Sequence, residues 1–465
     1  MSLIGLIFLA LAAAAVLRSQ TMALCIFAIA ALFQAASAFT IGPANVTPGH
    51  FVLLFLAIAV CIRQGGLATT LNAYVYPRAG FYLVLITLWA VASAILLPRL
   101  FAGAVQVMPL NARGGYYVEG PLYPVSSNIN QAVYAIGNLA AFGLAYSLGR
   151  SQELLVKAGC ALLIACGFNF ALAAIDSATF SAGVPHLLEF IRNADYAQAF
   201  EQTIAGMKRM NGSFPEPSVF AGVSVGLFGF AFGLWRGSVF SPYSGWIAIA
   251  LFVAILLAFS TTGYVALAVY MIVVYSLNLL GIVPGAQLKS AIRTRRNLVI
   301  SFLPIAAIIG AIVVALRPDL LDPVVEIFDT TIANKASSDS GVERASWNMG
   351  GVRVFFETVG LGAGLGSIRT SSFLVSIAAS LGVLGVIGFS VLFGRLFLHT
   401  PRPRVGSQAS EVAVIQAAAR SACFGLLIGA SLSSAVPDLG LMFFIFAGIA
   451  SAEPAPSQRL PVSTA

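Results

Sequence analysis

Apolar runs of about 17–25 residues, the length that crosses a hydrocarbon core of about 30 Å, recur along almost the whole of this 465-residue chain. A soluble chain carries about a quarter charged residues to coat its surface. Here charged residues are 9% and hydrophobic residues 59%, with a mean hydropathy of +0.93. Too little polar surface remains for water, so lipid is the expected solvent. The fold class that follows is all-α, a polytopic transmembrane helical bundle forming one integral membrane domain over 1–465.

Thirteen spans are expected, near 2–17, 20–38, 50–63, 79–98, 129–148, 154–175, 217–235, 244–260, 262–282, 297–316, 371–398, 411–432 and 437–452. The first and third are short, and only Thr261 separates the eighth from the ninth, so the count lies between twelve and fourteen. The run Leu3–Leu17 has no charge before it and Arg18 after it. That order is the reverse of a cleavable signal peptide and predicts a retained first helix with its N-terminus outside. The inside segments then hold fifteen basic residues, including the Lys289–Arg296 cluster, and three acids, a balance of +12. The outside holds ten basic and fourteen acidic residues, or −4, and the two sum to the formal +8. Short loops obey the positive-inside rule in this orientation. The positives are scattered singly at helix ends, so the net charge reflects topology and not a nucleic-acid stripe.

Two outside loops stand apart by length, roughly 176–215 and 317–370, and long loops are where function concentrates. Apolar and charged residues mix over 187–207 and over 342–358, which predicts a short interfacial helix in each loop. A plug packed over the bundle would explain the same residues.

Three constellations carry candidate chemistry. In the first, Lys208 and Arg209 precede a turn at Gly212, and Glu216 is held between Pro215 and Pro217 with Ser218 placed to cap the helix that follows. Two cations and a rigidly aimed carboxylate suit an anion site; a snorkelling arginine and an ordinary cap suit the same pattern. In the second, Gly360, Gly362, Gly364 and Gly366 approach a helix, followed by Arg369, Thr370, Ser371 and Ser372. Alternate glycines can free backbone amides to form a nest for phosphate, with Arg369 adding a fork-shaped charge. Close helix packing is the other use of such glycines. In the third, Glu343, Arg344, Trp347 and Arg353 lie on one helical stretch, where an aromatic beside an arginine and a carboxylate can hold a sugar. A solvated helix face is the plainer reading.

Several signatures are absent: no Asp-x-Asp in the inside loops, no phosphate-binding P-loop and no HExxH. The five cysteines fall inside apolar runs without CxxC spacing and are expected to be packing residues. Of His50, His186 and His399, only the first two lie outside in this topology. No metal site is expected.

These features together resemble the O-antigen ligase and Wzy-type polysaccharide polymerase superfamily of bacterial inner membranes. The resemblance rests on Arg209 followed by Phe214-Pro215-Glu216-Pro217-Ser218, and on a late outer loop reading Arg344-x-x-Trp347 and then Gly362-x-Gly364. It implies a metal-independent, cofactor-free glycosyltransferase acting at the periplasmic face on undecaprenyl-pyrophosphate-linked glycans. Membrane lipids are implied partners, as are a flippase and a chain-length regulator. Arg209 and Arg344 match the arginines that bind the donor pyrophosphate. The ligases carry a histidine soon after Gly-x-Gly, where this chain has Thr370-Ser371-Ser372-Phe373. Polymerisation of repeat units is therefore expected ahead of ligation to lipid A-core. A non-enzymatic transporter or flippase is the alternative from another class. The expected catalytic residues are Arg209, Glu216, Glu343 and Arg344, and the expected substrate-binding residues are Lys208, Trp347, Arg353, Gly362, Gly364, Arg369 and Ser371.

Overall fold

The computed structural model describes residues 1–41, 44–111, 117–194, 200–204, 207–280, 339–399 and 409–453. It is mostly helical. The helices are α1 (Leu3–Arg18), α2 (Gln20–Ala30), α3 (Pro48–Cys61), α4 (Gly66–Asn72), α5 (Ala79–Leu100), α6 (Ser126–Leu148) and α7 (Gln152–Ser181), followed by α8 (Pro217–Arg236), α9 (Tyr243–Leu257), α10 (Thr261–Leu279), α11 (Asp339–Glu357), α12 (Phe373–Leu398), α13 (Ala409–Ser433) and α14 (Gly440–Ser451). Three two-stranded hairpins sit in the links: β1 (Phe39–Ile41) with β2 (Ala44–Val46), β3 (Gln106–Val107) with β4 (Gly120–Pro121), and β5 (Thr203–Ile204) with β6 (Met207–Lys208).

A helix lies over every expected span that falls on described residues; 297–316, the Lys289–Arg296 cluster and 317–338 lie outside them. Five helices, α5, α7, α8, α12 and α13, are long and apolar enough to cross a membrane alone. A sixth crossing arises if α3 and α4, bent by 113°, count as one broken span. Helices α1, α2, α9, α10 and α14 are apolar but shorter. At 1.5 Å per residue, the 16 residues of α1 reach about 24 Å, less than the hydrocarbon core. The second expected span is cut back because α2 stops at Ala30 and the chain then turns into β1.

The closest-packed pair is α8 against α13. Gly222, Gly226, Gly229, Gly233 and Gly237 make a seam along α8, and opposite them lie Gly429, Gly425, Ser421, Ala418 and Val414. A Cβ added at Gly425 would meet the Gly226 Cα at 2.8 Å, and one at Gly429 would meet the Gly222 carbonyl oxygen at 2.7 Å. Apolar side chains gain little from leaving lipid for a helix interface, so small residues that bring two backbones together are what hold such a pair.

Helix α12 is broken at Gly382, whose φ is 63° and ψ −158°. The break removes acceptors' partners inside the helix, and other segments supply them. Ala363 and Gly364 donate their amides to the carbonyls of Ala379 and Ser380, at 2.8 and 3.0 Å, and Val383 donates to the Gly360 carbonyl at 2.8 Å. Trp89 Nε1 of α5 donates to the Leu381 carbonyl at 2.8 Å. The segment 360–366 is thereby stitched into the gap it faces.

Of the helices expected within 187–207 and 342–358, the second forms as α11 (Asp339–Glu357). The other does not form: a 3-10 turn (Pro185–Ile191) and the β5–β6 hairpin occupy the described parts of 187–207. Arg192, just after that turn, is tied to Asp176 at the end of α7, which fixes the chain direction against a continuing helix.

The seam makes a direct prediction. Gly425→Leu should lower stability by about 1–3 kcal/mol by forcing the backbones apart. The same change at Gly394, where an added Cβ meets nothing within 4 Å, should leave the unfolding temperature in detergent unchanged.

Candidate functional site

The starts of α8 and α12, the middle of α11 and the end of α13 meet at one end of the bundle. Pro217 opens α8 with Glu216 as the residue before it in extended backbone (φ −144°, ψ 149°). Ser218 makes no cap; its hydroxyl donates to Glu216 Oε2 at 3.0 Å. Arg344 of α11 reaches the same place: its Nη2 donates to Ser218 Oγ at 3.3 Å and lies 3.7 Å from Glu216 Oε2. Arg209 approaches from the β5–β6 hairpin. Its Nη1 donates to Gln202 Oε1 at 2.6 Å and its Nε to the Ala258 carbonyl at 3.2 Å. Burial pulls the Arg209 guanidinium below its ordinary value; the Glu216 carboxylate opposes that pull, and the Arg344 charge adds to it. Arg344 thus contacts the Glu216 carboxylate, and Arg209, from a segment more than a hundred residues earlier, is near enough to feel both charges. The Arg344–Glu216 pair is long and its side chains are 28% and 41% exposed. Such a pair contributes about 0–1 kcal/mol, so both partners can exchange it for a ligand.

Lys208 belongs elsewhere. Its ammonium pairs with Asp176, which also pairs with Arg192, and all three side chains are nearly fully buried. The second Asp176 oxygen accepts the Gly212 amide at 3.2 Å, and Arg192 Nη2 donates to the Gly212 carbonyl at 3.0 Å. Burial pulls the Lys208 ammonium down, against the Asp176 carboxylate. This triad clamps the turn at Gly212, where φ is 54°, and so aims Arg209 and Glu216. Lys208 acts there as an anchor of the turn.

One turn along α11 from Arg344, Trp347 packs against Arg369. The Arg369 guanidinium carbon lies 4.4 Å from the Trp347 ring centre and 4.5 Å from that of Tyr117, and the two rings meet edge to face. Arg369 Nε is buried without a hydrogen-bond partner. Asn348 Oδ1 accepts the Ser371 amide at 2.8 Å, tying α11 to the start of α12. Ser371 therefore contributes its backbone to positioning.

The glycines do not form an open nest. Gly360, Gly362, Gly364 and Gly366 all have positive φ, between 77° and 95°. The amides of Gly360, Gly362 and Gly364 are given to the protein: Gly360 donates to the Phe355 carbonyl at 2.8 Å, Gly362 to Thr358 Oγ1 at 2.9 Å and Gly364 into α12, while Leu365 donates to Ser93 Oγ at 3.3 Å. A Cβ on Gly364 would meet the Ser93 carbonyl oxygen at 2.6 Å, and one on Gly366 the Ser127 carbonyl oxygen at 2.4 Å. Gly362 and Gly364 are packing glycines, placed where backbone meets backbone. Arg353 pairs with Glu119 at 2.9 Å and with Glu357 at 3.7 Å near the surface, away from Arg209 and Arg344. Glu343 is exposed, with no side-chain partner among the described residues.

The structure thus brings together Arg209, Glu216, Arg344 and, alongside them, Trp347, Arg369 and Ser371. Tyr117, Gln202 and Asn348 join them without having been expected, and Asp176 with Arg192 supplies the clamp. Asp176 carried a signal, being a lone acid at the end of an apolar run with cations following it. Comparison with protein-family models, curated proteins and solved structures finds no match to the chain.

Removing the clamp's carboxylate tests its role. Asp176→Asn leaves two buried cations without their counter-charge and should cost about 3–5 kcal/mol, read as a lowered unfolding temperature. Glu343→Gln should leave it unchanged.

Proposed function

We propose that this protein polymerises lipid-linked oligosaccharide repeat units at the periplasmic face of a bacterial inner membrane, as a metal-independent glycosyltransferase. The observation that carries the reading is the contact of Arg344 with Glu216 and Ser218, with the Arg209 charge close enough to act on both Arg344 and Glu216. In the proposed reaction, a hydroxyl of the incoming repeat unit attacks the anomeric carbon of the growing glycan. The bond from that carbon to the undecaprenyl pyrophosphate breaks, and the pyrophosphate leaves with the electron pair. Negative charge grows on the leaving group, where two pre-placed guanidiniums stabilise the transition state more than the ground state. Glu216, freed from Arg344 as phosphate takes its place, accepts the hydroxyl proton. Trp347 and Tyr117 offer aromatic faces on which a sugar ring can lie.

The thirteen-span topology with its N-terminus outside belongs to the same proposal, supported by the charge balance of the short loops. On this reading the long loops are periplasmic, and undecaprenyl-linked glycans are both donor and acceptor. Ligation to lipid A-core uses the same donor chemistry and differs in the acceptor.

Deletion separates the readings. Loss of polymer with single lipid-linked units accumulating outside supports polymerisation. Intact lipid-linked polymer that fails to reach lipid A-core points to ligation, and units trapped on the cytoplasmic side point to a flippase. Arg209→Ala and Arg344→Ala should each abolish product at normal protein levels; wild-type product in both would refute the site.

A further inference from the structure

A cleft between α5, α6, α12 and α14 plays no part in the proposed transfer. Asp438, in the link between α13 and α14, stands on its wall, with Asn138 and Gln131 of α6 and Thr87 of α5; most of the remaining lining is apolar, including Phe389 and Phe444. Asp438 Oδ1 accepts the Gly440 amide at 2.7 Å and Asn138 Nδ2 at 2.8 Å. No arginine, lysine or histidine pairs with this carboxylate among the described residues. The N-terminus of α14 supplies about half a positive charge, which leaves the carboxylate short of compensation. A carboxylate among apolar helices without a cationic partner is a mark of function more than of packing.

A second observation points to the sign of what the cleft takes. Asn138 is 4% exposed, and its Oδ1 has no hydrogen-bond partner. The amide cannot simply be turned over, because its nitrogen is the end that can donate to Asp438. An unsatisfied amide oxygen therefore lies beside an undercompensated carboxylate. Thr87 spends its proton on the Leu83 carbonyl at 2.8 Å, which leaves its oxygen lone pairs available. Oxygen acceptors grouped around an undercompensated carboxylate suit a positive guest.

The cleft also has a polar approach. Asn128, Gln131 and Asn138 share one face of α6 at helical spacing. Asn128 Nδ2 donates to the Leu365 carbonyl and to Ser367 Oγ, each at 2.7 Å. The stripe thus descends from the glycine segment beside Arg369 to Asp438, and Leu365 lines the cleft from above.

We propose that this cleft binds a monovalent metal cation on the Asp438 carboxylate and the Asn138 amide oxygen, with Gln131 and Thr87 completing an all-oxygen shell. The donors decide the class. One carboxylate balances one positive charge, whereas dedicated divalent sites gather more charge. Nitrogen and sulfur donors, which transition metals prefer, are absent from the lining among the described residues. The inference stands apart from glycosyl transfer: it needs only Asp438, Asn138 and the cleft.

The test uses the full-length protein in lipid nanodiscs at one fixed pH and constant ionic strength, with sodium or potassium replacing N-methylglucamine. A cation that binds only the folded state raises the unfolding temperature in a saturable way. A saturable rise with sodium or potassium is expected. Asn138→Ala should raise the half-saturating concentration by about tenfold or more, and Asp438→Asn should abolish the rise. Arg353→Ala should retain it in full. Direct binding of radioactive sodium to Asn138→Ala keeps the proposal falsifiable if Asp438→Asn fails to fold. Equal stability in all three cations, a rise that persists unchanged in Asn138→Ala, or saturable stabilisation by calcium alone would overturn it.

Discussion

Glycine on α8 and small residues on α13 let two helix backbones lie almost in contact, and the placement of the candidate site follows from that contact. Gly222 faces Gly429 and Gly226 faces Gly425, so the start of α8 is held level with the end of α13. Ser218 and Glu216 therefore sit beside the link that leaves α13, and the Thr370 amide donates to the Ala435 carbonyl of that link at 3.2 Å. Without the seam, nothing in the apolar surfaces of these helices would fix their height, since lipid competes equally for Leu and Phe. The buried Asp176–Arg192–Lys208 triad does the complementary work from the other side by fixing the turn that carries Arg209.

How far the sequence was legible depends on the length scale of each interaction. Helices over apolar runs are local, and the runs at 79–98, 217–235, 371–398 and 411–432 match α5, α8, α12 and α13 within a few residues. Helix α11 was visible in the same way. The grouping of Arg209 with Arg344 was suggested by resemblance and not by spacing; in the structure Arg344 pairs with Glu216, and the charges of both act on Arg209. The use of the glycines was not legible. Alternation of glycine announces freedom of the backbone but not its neighbours, and here the neighbours are the carbonyls exposed by the break at Gly382. Lys208 was expected to bind substrate beside a catalytic Arg209. Only the fold shows that Asp176, more than thirty residues earlier, claims one and leaves the other.

Arg369 and the arginine pair at Glu216 differ in a way that matters for recognition. Arg344 and Arg209 offer charge with exchangeable partners. Arg369 lies against the rings of Trp347 and Tyr117, which meet edge to face on one side of its guanidinium. A guanidinium held by aromatic rings keeps its fork for a planar, two-pronged acceptor. The Asn348–Ser371 bond keeps this aromatic corner in register with Arg344 through the rigid turn of α11 between them.

Helix α11 has one face buried, with Val354 fully covered, and a second apolar stripe left open: Met349 is 70% exposed, Val352 42% and Phe356 71%. A stripe of that kind is comfortable at the boundary of a bilayer and in few other places. Arg344, on the same helix, would then lie at headgroup height. The lipid-linked substrate proposed above would reach it by sliding sideways in the plane of the membrane, a search in two dimensions in place of three. The glycan, free of that plane, would extend into water without ever having to pass through the helices.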